Sequence, residues 1–165
     1  MYLLDTPVVW ALRAIRQRDA DPAMIRWAEA QMLSTLFVSA LTLVELGAGA
    51  VQVEKADKTG AATIRRWIDG PLMSAFEGRI LSLDATTAQR AAALGLAHLR
   101  DGMVAATALE HSLTIATRTP AAYRLAKVRT VDPWSYSARA EGDDGDWRQA
   151  SRSGPVWLKN FFARG

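Results

Sequence analysis

The chain opens with Met1-Tyr2-Leu3-Leu4-Asp5-Thr6-Pro7, a short apolar run that closes on an acidic residue. The apolar run predicts a buried strand, and Thr6-Pro7 predicts a helix directly after it, because proline is favoured at the first helical position. Parallel α/β sheets bind ligands in the crevice beyond the carboxyl ends of their strands, and Asp5 stands at that place. This stretch therefore predicts an α/β fold with an acidic site at one edge of its sheet.

The rest of the chain alternates between strands and helices in the same way. Further strands are predicted over residues 36–40, 80–83, 113–116 and 128–131. Helices are predicted from Thr6, from Pro22 with Asp21 as its cap, from Thr42 to about Val53, from the polar break at 54–59 to Gly70-Pro71, from Thr86 to about Leu99 with Asp84 as its cap, from Asp101 to about His111, and as a turn over 120–125. Such alternation requires right-handed crossovers and gives a mostly parallel sheet covered on both faces.

Composition limits the class of protein. The chain has 165 residues, half of them hydrophobic, which suits one domain with a buried core and excludes disorder over most of its length. It has no cysteine, so disulfides and thiolate metal sites are impossible. Asp5 interrupts the first apolar run, and no later run is as long as a membrane span. We therefore expect no signal peptide and no membrane contact, and we expect the protein in the cytoplasm.

The composition changes after Trp134, and we expect a domain over residues 1–134 with an appendage over 135–165. The polar stretch contains the acidic segment 141–146, which we predict to be a mobile tether. Near the end, Trp157, Leu158, Phe161 and Phe162 have a spacing that places them on one stripe of a short helix. We predict that this stripe docks on the domain, on a twin subunit or on another partner, the alternative being a frayed chain end.

Three acidic residues have comparable positions, and together they form what we call the acid cluster: Asp5, Glu45 and Asp101. If they meet at one edge of the sheet, their oxygens form a site suited to Mg²⁺ or Mn²⁺. Each also has a structural interpretation, because Asp5 could cap the first helix, Glu45 could form a capping box with Thr42, and Asp101 could be an N-cap. The residues alone leave both interpretations open.

Other groups that could carry chemistry give weaker signals. Arginines at positions 13, 16 and 18, and again at 65 and 66, could hold a phosphate backbone, although solvated surface charge is the preferred explanation unless a nuclease site is argued independently. His98 and His111 lack the spaced partners that a zinc site needs. Ser39 has no histidine in a nearby motif, so a hydrolytic triad is unsupported.

Several stretches resemble the VapC-type toxins of the PIN-domain family, and they follow one another in the family's order. These stretches are 2–6, 38–49, 80–84, 101–114, 117–119 and 131–134. The resemblance implies a three-layer α/β/α sandwich around a parallel sheet, usually a homodimer, that acts as a metal-dependent endoribonuclease on RNA and is neutralised by a cognate antitoxin. It implies that Asp5, Glu45 and Asp101 are three of four acidic catalytic and metal-binding residues, with Mg²⁺, or alternatively Mn²⁺, as the cofactor.

The chain departs from this family pattern at specific positions. Ala122 stands where the fourth acid is expected, and Thr119 replaces an asparagine. Pro7 stands where an asparagine often follows the opening Asp-Thr pair. The connection from the alanine-rich helix to Asp101 is expected to be short, since Leu99-Arg100 leads almost directly into that aspartate.

We assign roles to the acid cluster on this basis. Asp5 and Asp101 are the expected direct metal ligands, whereas Glu45 binds through water or orients the attacking water. Hydroxyls that could support them are Thr6, Ser39 and Thr107, although hydroxyls at caps and on helices are usually structural. Removing Asp5 or Asp101 is expected to abolish activity and to leave the fold intact or more stable, because crowded like charges are relieved.

Two further interpretations compete with a ribonuclease toxin. The chain could be a degenerate PIN domain that binds RNA or an antitoxin with weakened or lost nuclease activity, as the missing fourth acid suggests. It could also be an ordinary α/β domain whose three acids only cap helices. Whether the acid cluster converges closely enough to hold one ion without the fourth acid distinguishes the ribonuclease from the degenerate domain. An ordinary α/β domain would require the ordered matches to the family to be coincidental.

Overall fold

The structure is a computed structural model, and it describes residues 1–15, 20–137 and 156–161. Its strands are β1 (Tyr2–Leu4), β2 (Leu36–Ser39), β3 (Ile80–Leu81), β4 (Thr114–Ala116) and β5 (Thr130–Val131). They form one five-stranded sheet in the order β3-β2-β1-β4-β5, and every pair is parallel. The predicted parallel α/β sheet is confirmed, and the strand that opens the chain lies at its centre.

Helices connect the strands. The α-helices are α1 (Thr6–Ala14), α2 (Pro22–Glu29), α3 (Ala40–Glu54), α4 (Lys58–Trp67), α5 (Met73–Ala75), α6 (Ala85–Ala93), α7 (Leu99–Glu110) and α8 (Val156–Phe161). Short 3₁₀ turns cover Leu33–Thr35, Pro120–Ala126 and Pro133–Ser135. Asp21 and Asp84 cap α2 and α6 as predicted, because their carboxylates accept the backbone N–H groups of Met24 and Thr87.

The sheet separates two apolar cores. Successive side chains of a strand point to opposite faces. Leu3 therefore joins one core while Leu4 joins the other. The smaller apolar cluster is built on Leu3, Val104, Ala105, Ala108, Leu113, Ile115, Tyr123 and Ala126. The larger apolar cluster is built on Leu4, Val8, Val9, Leu12, Met24, Trp27, Ala28, Leu36, Val38, Leu46, Trp67, Leu72, Phe76, Ala116, Leu158 and Phe161. The result is the expected three-layer sandwich.

Several helix boundaries differ from those predicted, and α7 begins at Leu99 rather than Asp101. Helix α3 begins at Ala40 rather than Thr42, because the Ser39 hydroxyl accepts the Thr42 N–H at 3.2 Å and caps the helix earlier. Helix α6 ends at Ala93 rather than near Leu99, and Gly95 follows in the left-handed region at φ +61°. That conformation favours glycine and reverses the chain. A loop over residues 94–98 thus separates α6 from α7, and the predicted direct connection is wrong.

The helix over residues 58–75 also continues further than predicted. Gly70-Pro71 does not stop it, since a π-helical turn over Ile68–Leu72 carries the chain into α5. Pro71 has no N–H to donate, and a locally widened turn accommodates that loss. The continuation brings Leu72 and Phe76 into the larger apolar cluster.

The C-terminal helix α8 docks on the domain itself. Leu158 and Phe161 are buried in the larger apolar cluster, and the Trp157 indole donates a hydrogen bond to the Gln31 carbonyl at 3.1 Å. The predicted docking is confirmed for these side chains. Phe162 and the acidic segment 141–146 lie outside the described residues, and the domain boundary at residue 134 stays a prediction.

Candidate active site

The structure brings the three residues of the acid cluster to one place beside the carboxyl end of β1. Asp5 follows β1 directly and is buried, with 1 % exposure. Glu45 lies in the second turn of α3, and Asp101 lies in the first turn of α7. Elements on both faces of the sheet therefore contribute carboxylates to this site, as the parallel topology predicted.

One side chain, Arg100, contacts all three carboxylates. Its Nε donates to Glu45 Oε1 at 2.5 Å, and its Nη1 donates to Asp101 Oδ1 at 2.8 Å. Its Nη2 donates to Asp5 Oδ1 and, at 3.2 Å, to Glu45 Oε2. All three guanidinium nitrogens are thus used within the acid cluster, and the cation lies between the three acids. We did not predict this role for Arg100.

Asp5 is also held by neutral groups. Its Oδ2 accepts a hydrogen bond from the Thr117 hydroxyl at 2.7 Å and another from the Tyr123 hydroxyl at 3.3 Å. Its Oδ1 accepts the Thr6 N–H at 2.9 Å and so caps α1. Both interpretations of Asp5 therefore hold, because the same carboxylate caps a helix and belongs to the acid cluster.

The capping interpretation is wrong for the other two acids. Glu45 lies too far into α3 for a capping box with Thr42, and its Oε2 instead accepts a hydrogen bond from the Thr6 hydroxyl. The N-cap of α7 is His98, so Asp101 belongs to the first turn, where a negative charge is favoured by the helix dipole. Because neither Glu45 nor Asp101 caps a helix, the interpretation of the chain as an ordinary α/β domain with three capping acids is wrong.

The electrostatics of the site follow from this packing. Burial alone would lower the pKa of Arg100, but its hydrogen bonds to Glu45, Asp5 and Asp101 raise that pKa above the usual value. Burial raises the pKa of Tyr123, and the negative charge of Asp5 adds to the effect. Arg100 therefore stays charged and Tyr123 stays neutral at physiological pH.

Sequence signals for the unpredicted contacts are slight. Arg100 directly precedes Asp101, and Tyr123 directly follows Ala122, at positions where a basic and an aromatic residue have ordinary structural explanations. Thr117 belongs to one of the stretches that resemble the PIN-domain family, but no role was predicted for it. Their convergence on Asp5 depends on chain segments 95, 112 and 118 residues away, which local patterns do not report.

The other sequence candidates are placed as follows. Among the hydroxyls, Thr6 contacts the acid cluster, whereas Ser39 caps α3 and Thr107 donates to the Met103 carbonyl within α7. Ala122 is half-buried and packs against the smaller apolar cluster. His98 and His111 are both exposed.

The basic patches give little support to a phosphate-binding surface. Arg13 stacks over the rings of Trp10 and Trp67, and Arg65 forms an ion pair with Glu54. The arginines at positions 16 and 18 lie outside the described residues. The patch interpretation is therefore unsupported at Arg13 and Arg65.

The carboxylate oxygens of the acid cluster are the type of ligand that a hard divalent cation prefers. With Arg100 in place, however, they do not form a metal site. Within the residues that the structure describes, no group of three or more His, Cys, Asp or Glu side chains could hold a metal ion. The carboxylates are arranged around a guanidinium instead.

A buried aspartate at the end of a central parallel strand, with two further acids brought to it by helices, defines an α/β domain with an acidic site. The family profile for the PIN domain matches residues 2–128. The chain belongs to the PIN-domain family, and its relatives place it among the VapC-type members.

Curated relatives support this assignment. The chain is 29 % identical over 143 residues to VapC ribonuclease Y4jK of Sinorhizobium fredii, an alignment that covers 81 % of this chain and 98 % of the relative. It is 30 % identical over 142 residues to toxin FitB of Neisseria gonorrhoeae, with 81 % and 99 % covered. The crystal structure of FitAcB from Neisseria gonorrhoeae superposes with a TM-score of 0.73 at 29 % identity, over 82 % of this chain and 99 % of that one.

Across the described parts of the chain, no helix combines the length and the apolar character that crossing a bilayer requires.

The raised pKa of Tyr123 leads to a prediction about alkaline pH. The unfolded chain loses this phenolic proton near pH 10, whereas the folded chain keeps it to higher pH. The stabilisation is therefore complete below about pH 10 and declines as the pH rises further. We expect the free energy of unfolding, measured in urea between pH 8 and 11, to fall more steeply for the wild type than for Tyr123→Phe. Equal slopes would contradict the prediction.

Proposed function

We propose that this protein is the toxin of a type II toxin–antitoxin pair and that it cleaves RNA phosphodiester bonds as an endoribonuclease. The observation that carries the proposal is the convergence of Asp5, Glu45 and Asp101 at the end of the central strand of a PIN domain. The relatives named as a VapC ribonuclease and as toxin FitB support it.

The proposed cofactor is Mg²⁺, with Mn²⁺ as the alternative. Asp5 and Asp101 are the proposed direct ligands. Such an ion, when bound, supplies Lewis acidity toward phosphate oxygens and lowers the pKa of bound water. The ion and the Arg100 guanidinium cannot occupy the same position, so binding requires Arg100 to leave.

The remaining side chains have positioning roles in this proposal. Thr117 and Tyr123 orient the buried carboxylate of Asp5 through their hydrogen bonds to Oδ2. The Thr6 hydroxyl holds Glu45, which we propose orients the attacking water. Hydrogen bonds of this kind fix the direction of a ligand or base and commonly affect activity by about 10–100-fold.

The proposed partners follow from the family. They are an RNA substrate, a cognate antitoxin and a second copy of the chain in a homodimer, and the proposed location is the cytoplasm. The alternative function is a degenerate PIN domain that binds RNA or antitoxin without cutting. Two observations favour that alternative: Ala122 stands where the fourth acid is expected, and Arg100 occupies the centre of the acid cluster.

RNA cleavage tests the proposal directly. Purified protein is incubated with structured RNA in Mg²⁺, in Mn²⁺ or in a chelator, and the products are resolved on a denaturing gel. We expect internal cleavage with either ion and none with the chelator. Intact RNA under all conditions would favour the degenerate domain, whereas cleavage that persists in the chelator would contradict the proposed metal dependence.

The missing fourth acid leads to a separate prediction. Replacing Ala122 with aspartate is expected to tighten Mn²⁺ binding several-fold, because a further negative charge then faces the cation. Titration calorimetry measures the change. Ala121→Asp is the matched control, since Ala121 is the exposed neighbour in the same 3₁₀ turn. An unchanged affinity in Ala122→Asp would place this position outside the site.

A further inference from the structure

We infer that Arg100 competes with a divalent metal ion for the carboxylates of the acid cluster and thereby sets the metal affinity of this protein. The inference deepens the proposed function, on which it rests for the identity of the site. It concerns a residue of this chain that directly precedes one of the three acids in sequence.

The geometry makes the two cations mutually exclusive. Each of the three carboxylates accepts a hydrogen bond from Arg100, and Glu45 uses both of its oxygens for this purpose. A Mg²⁺ ion needs oxygen ligands at about 2.0–2.1 Å in octahedral arrangement. The acids cannot adopt that arrangement while they surround the planar guanidinium of Arg100. The positive charges of the ion and of the guanidinium would also repel each other within the acid cluster.

The exposed fraction of each side chain indicates whether Arg100 or the carboxylates move when a metal ion binds. The side chain of Asp5 is 1 % exposed and that of Asp101 is 12 % exposed, whereas that of Arg100 is 31 % exposed. The two aspartates are therefore fixed within the protein, but the arginine lies toward solvent on a long flexible stem. Displacement of Arg100 leaves the two aspartates in place and frees the carboxylates of all three acids from the guanidinium.

The guanidinium of Arg100 is also suited to binding the phosphate groups of the proposed RNA substrate. A guanidinium binds phosphate oxygens in a bidentate manner, much as it binds carboxylates. A phosphodiester that approaches the site offers Arg100 an alternative acceptor. Binding of RNA and binding of a metal ion are then expected to favour each other, since each removes the arginine from the acids.

The test compares Mn²⁺ affinities without any RNA. Wild type, Arg100→Gln and Arg90→Gln are titrated with Mn²⁺, and the free ion is measured by electron paramagnetic resonance. Arg90→Gln is the matched control, because it removes an arginine from a surface ion pair with Glu110. We expect Arg100→Gln to bind Mn²⁺ at least about tenfold more tightly than wild type. We expect Arg90→Gln to bind it as wild type does.

Equal or weaker binding by Arg100→Gln would overturn the inference. Should that variant not fold, the wild type provides a second measurement, in which the Nε–H resonance of Arg100 is followed by NMR during a Mg²⁺ titration. The resonance is expected to change as Mg²⁺ binds, and an unchanged resonance at saturation would overturn the inference.

The two proposals fail in different ways. Tighter Mn²⁺ binding by Arg100→Gln together with intact RNA would uphold the role of Arg100 and refute the nuclease function. RNA cleavage with no effect of Arg100 on metal affinity would do the reverse.

Discussion

Replacing Asp5 with asparagine is expected to lower the rate of RNA cleavage by more than about 100-fold, beyond the usual effect of losing a group that only supports a ligand. The substitution keeps the size of the side chain but removes its charge. Asparagine has a single acceptor oxygen, so its NH2 group must face either the Thr117 and Tyr123 hydroxyls or the Thr6 N–H and Arg100, and it cannot accept their hydrogen bonds. An amide is also a weaker partner for a cation.

Asp21→Asn is the matched control for this prediction. Asp21 also caps a helix that begins with proline, but it is exposed and its carboxylate accepts only backbone N–H groups in the described structure. Asparagine is an equally good cap. Cleavage of a fluorescent RNA by the two variants, with thermal unfolding to verify folding, separates the roles. Comparable activity in both would show that Asp5 is only a helix cap.

The structure also changes the expected effect of Asp5→Ala on stability. From sequence we expected relief of crowded like charges and an intact or stabilised fold. Arg100 already neutralises part of that charge, so the alanine variant loses a buried partner for Arg100, Thr117 and Tyr123. We now expect a loss of about 2–3 kcal/mol, somewhat below the range for a fully buried pair because Arg100 is partly exposed.

Replacing Phe161 with alanine is expected to lower the free energy of unfolding by about 3 kcal/mol, at the lower end for phenylalanine truncation because a terminal helix can relax. The ring is 1 % exposed and makes edge contacts with Trp67 at 5.6 Å and Phe76 at 6.1 Å between centroids. Such pairs stabilise a core beyond the area they bury. Urea unfolding measures the difference.

Leu125→Ala serves as the control for Phe161→Ala, because Leu125 is 74 % exposed. Its truncation is expected to change stability by no more than about 0.5 kcal/mol. If the two variants unfold at the same urea concentration, α8 does not contribute to the stability of the domain in solution.

The sequence was sufficient for features that depend on local chemistry. The apolar runs located all five strands, and Asp21 and Asp84 marked the starts of two helices. It was insufficient where the same short stretch of sequence is compatible with two local structures. Gly70-Pro71 commonly ends a helix, but here a π-helical turn accommodates the proline.

The candidate site likewise contains residues that the sequence could predict and one, Arg100, that it could not. Asp5 could be predicted as a site residue because it stands at the carboxyl end of the first strand, where parallel sheets bind ligands. Glu45 and Asp101 were assigned to the site with it through the family resemblance, since the residues alone left a capping role open. Arg100 could not be predicted, since an arginine beside an aspartate is ordinarily a solvated surface charge. Its direction depends on where α7 begins, and that start depends on the loop over 94–98, which the alanine-rich sequence suggested was helical.

The position of β1 at the centre of the sheet determines when the protein can become active during its synthesis. Asp5 is made before its partners Arg100, Thr117 and Tyr123, which follow 95, 112 and 118 residues later in the chain. At the usual speed of translation this delay is on the order of ten seconds. The strand must wait for β4 to provide its second neighbour, so the site assembles only when nearly all of the domain has been translated.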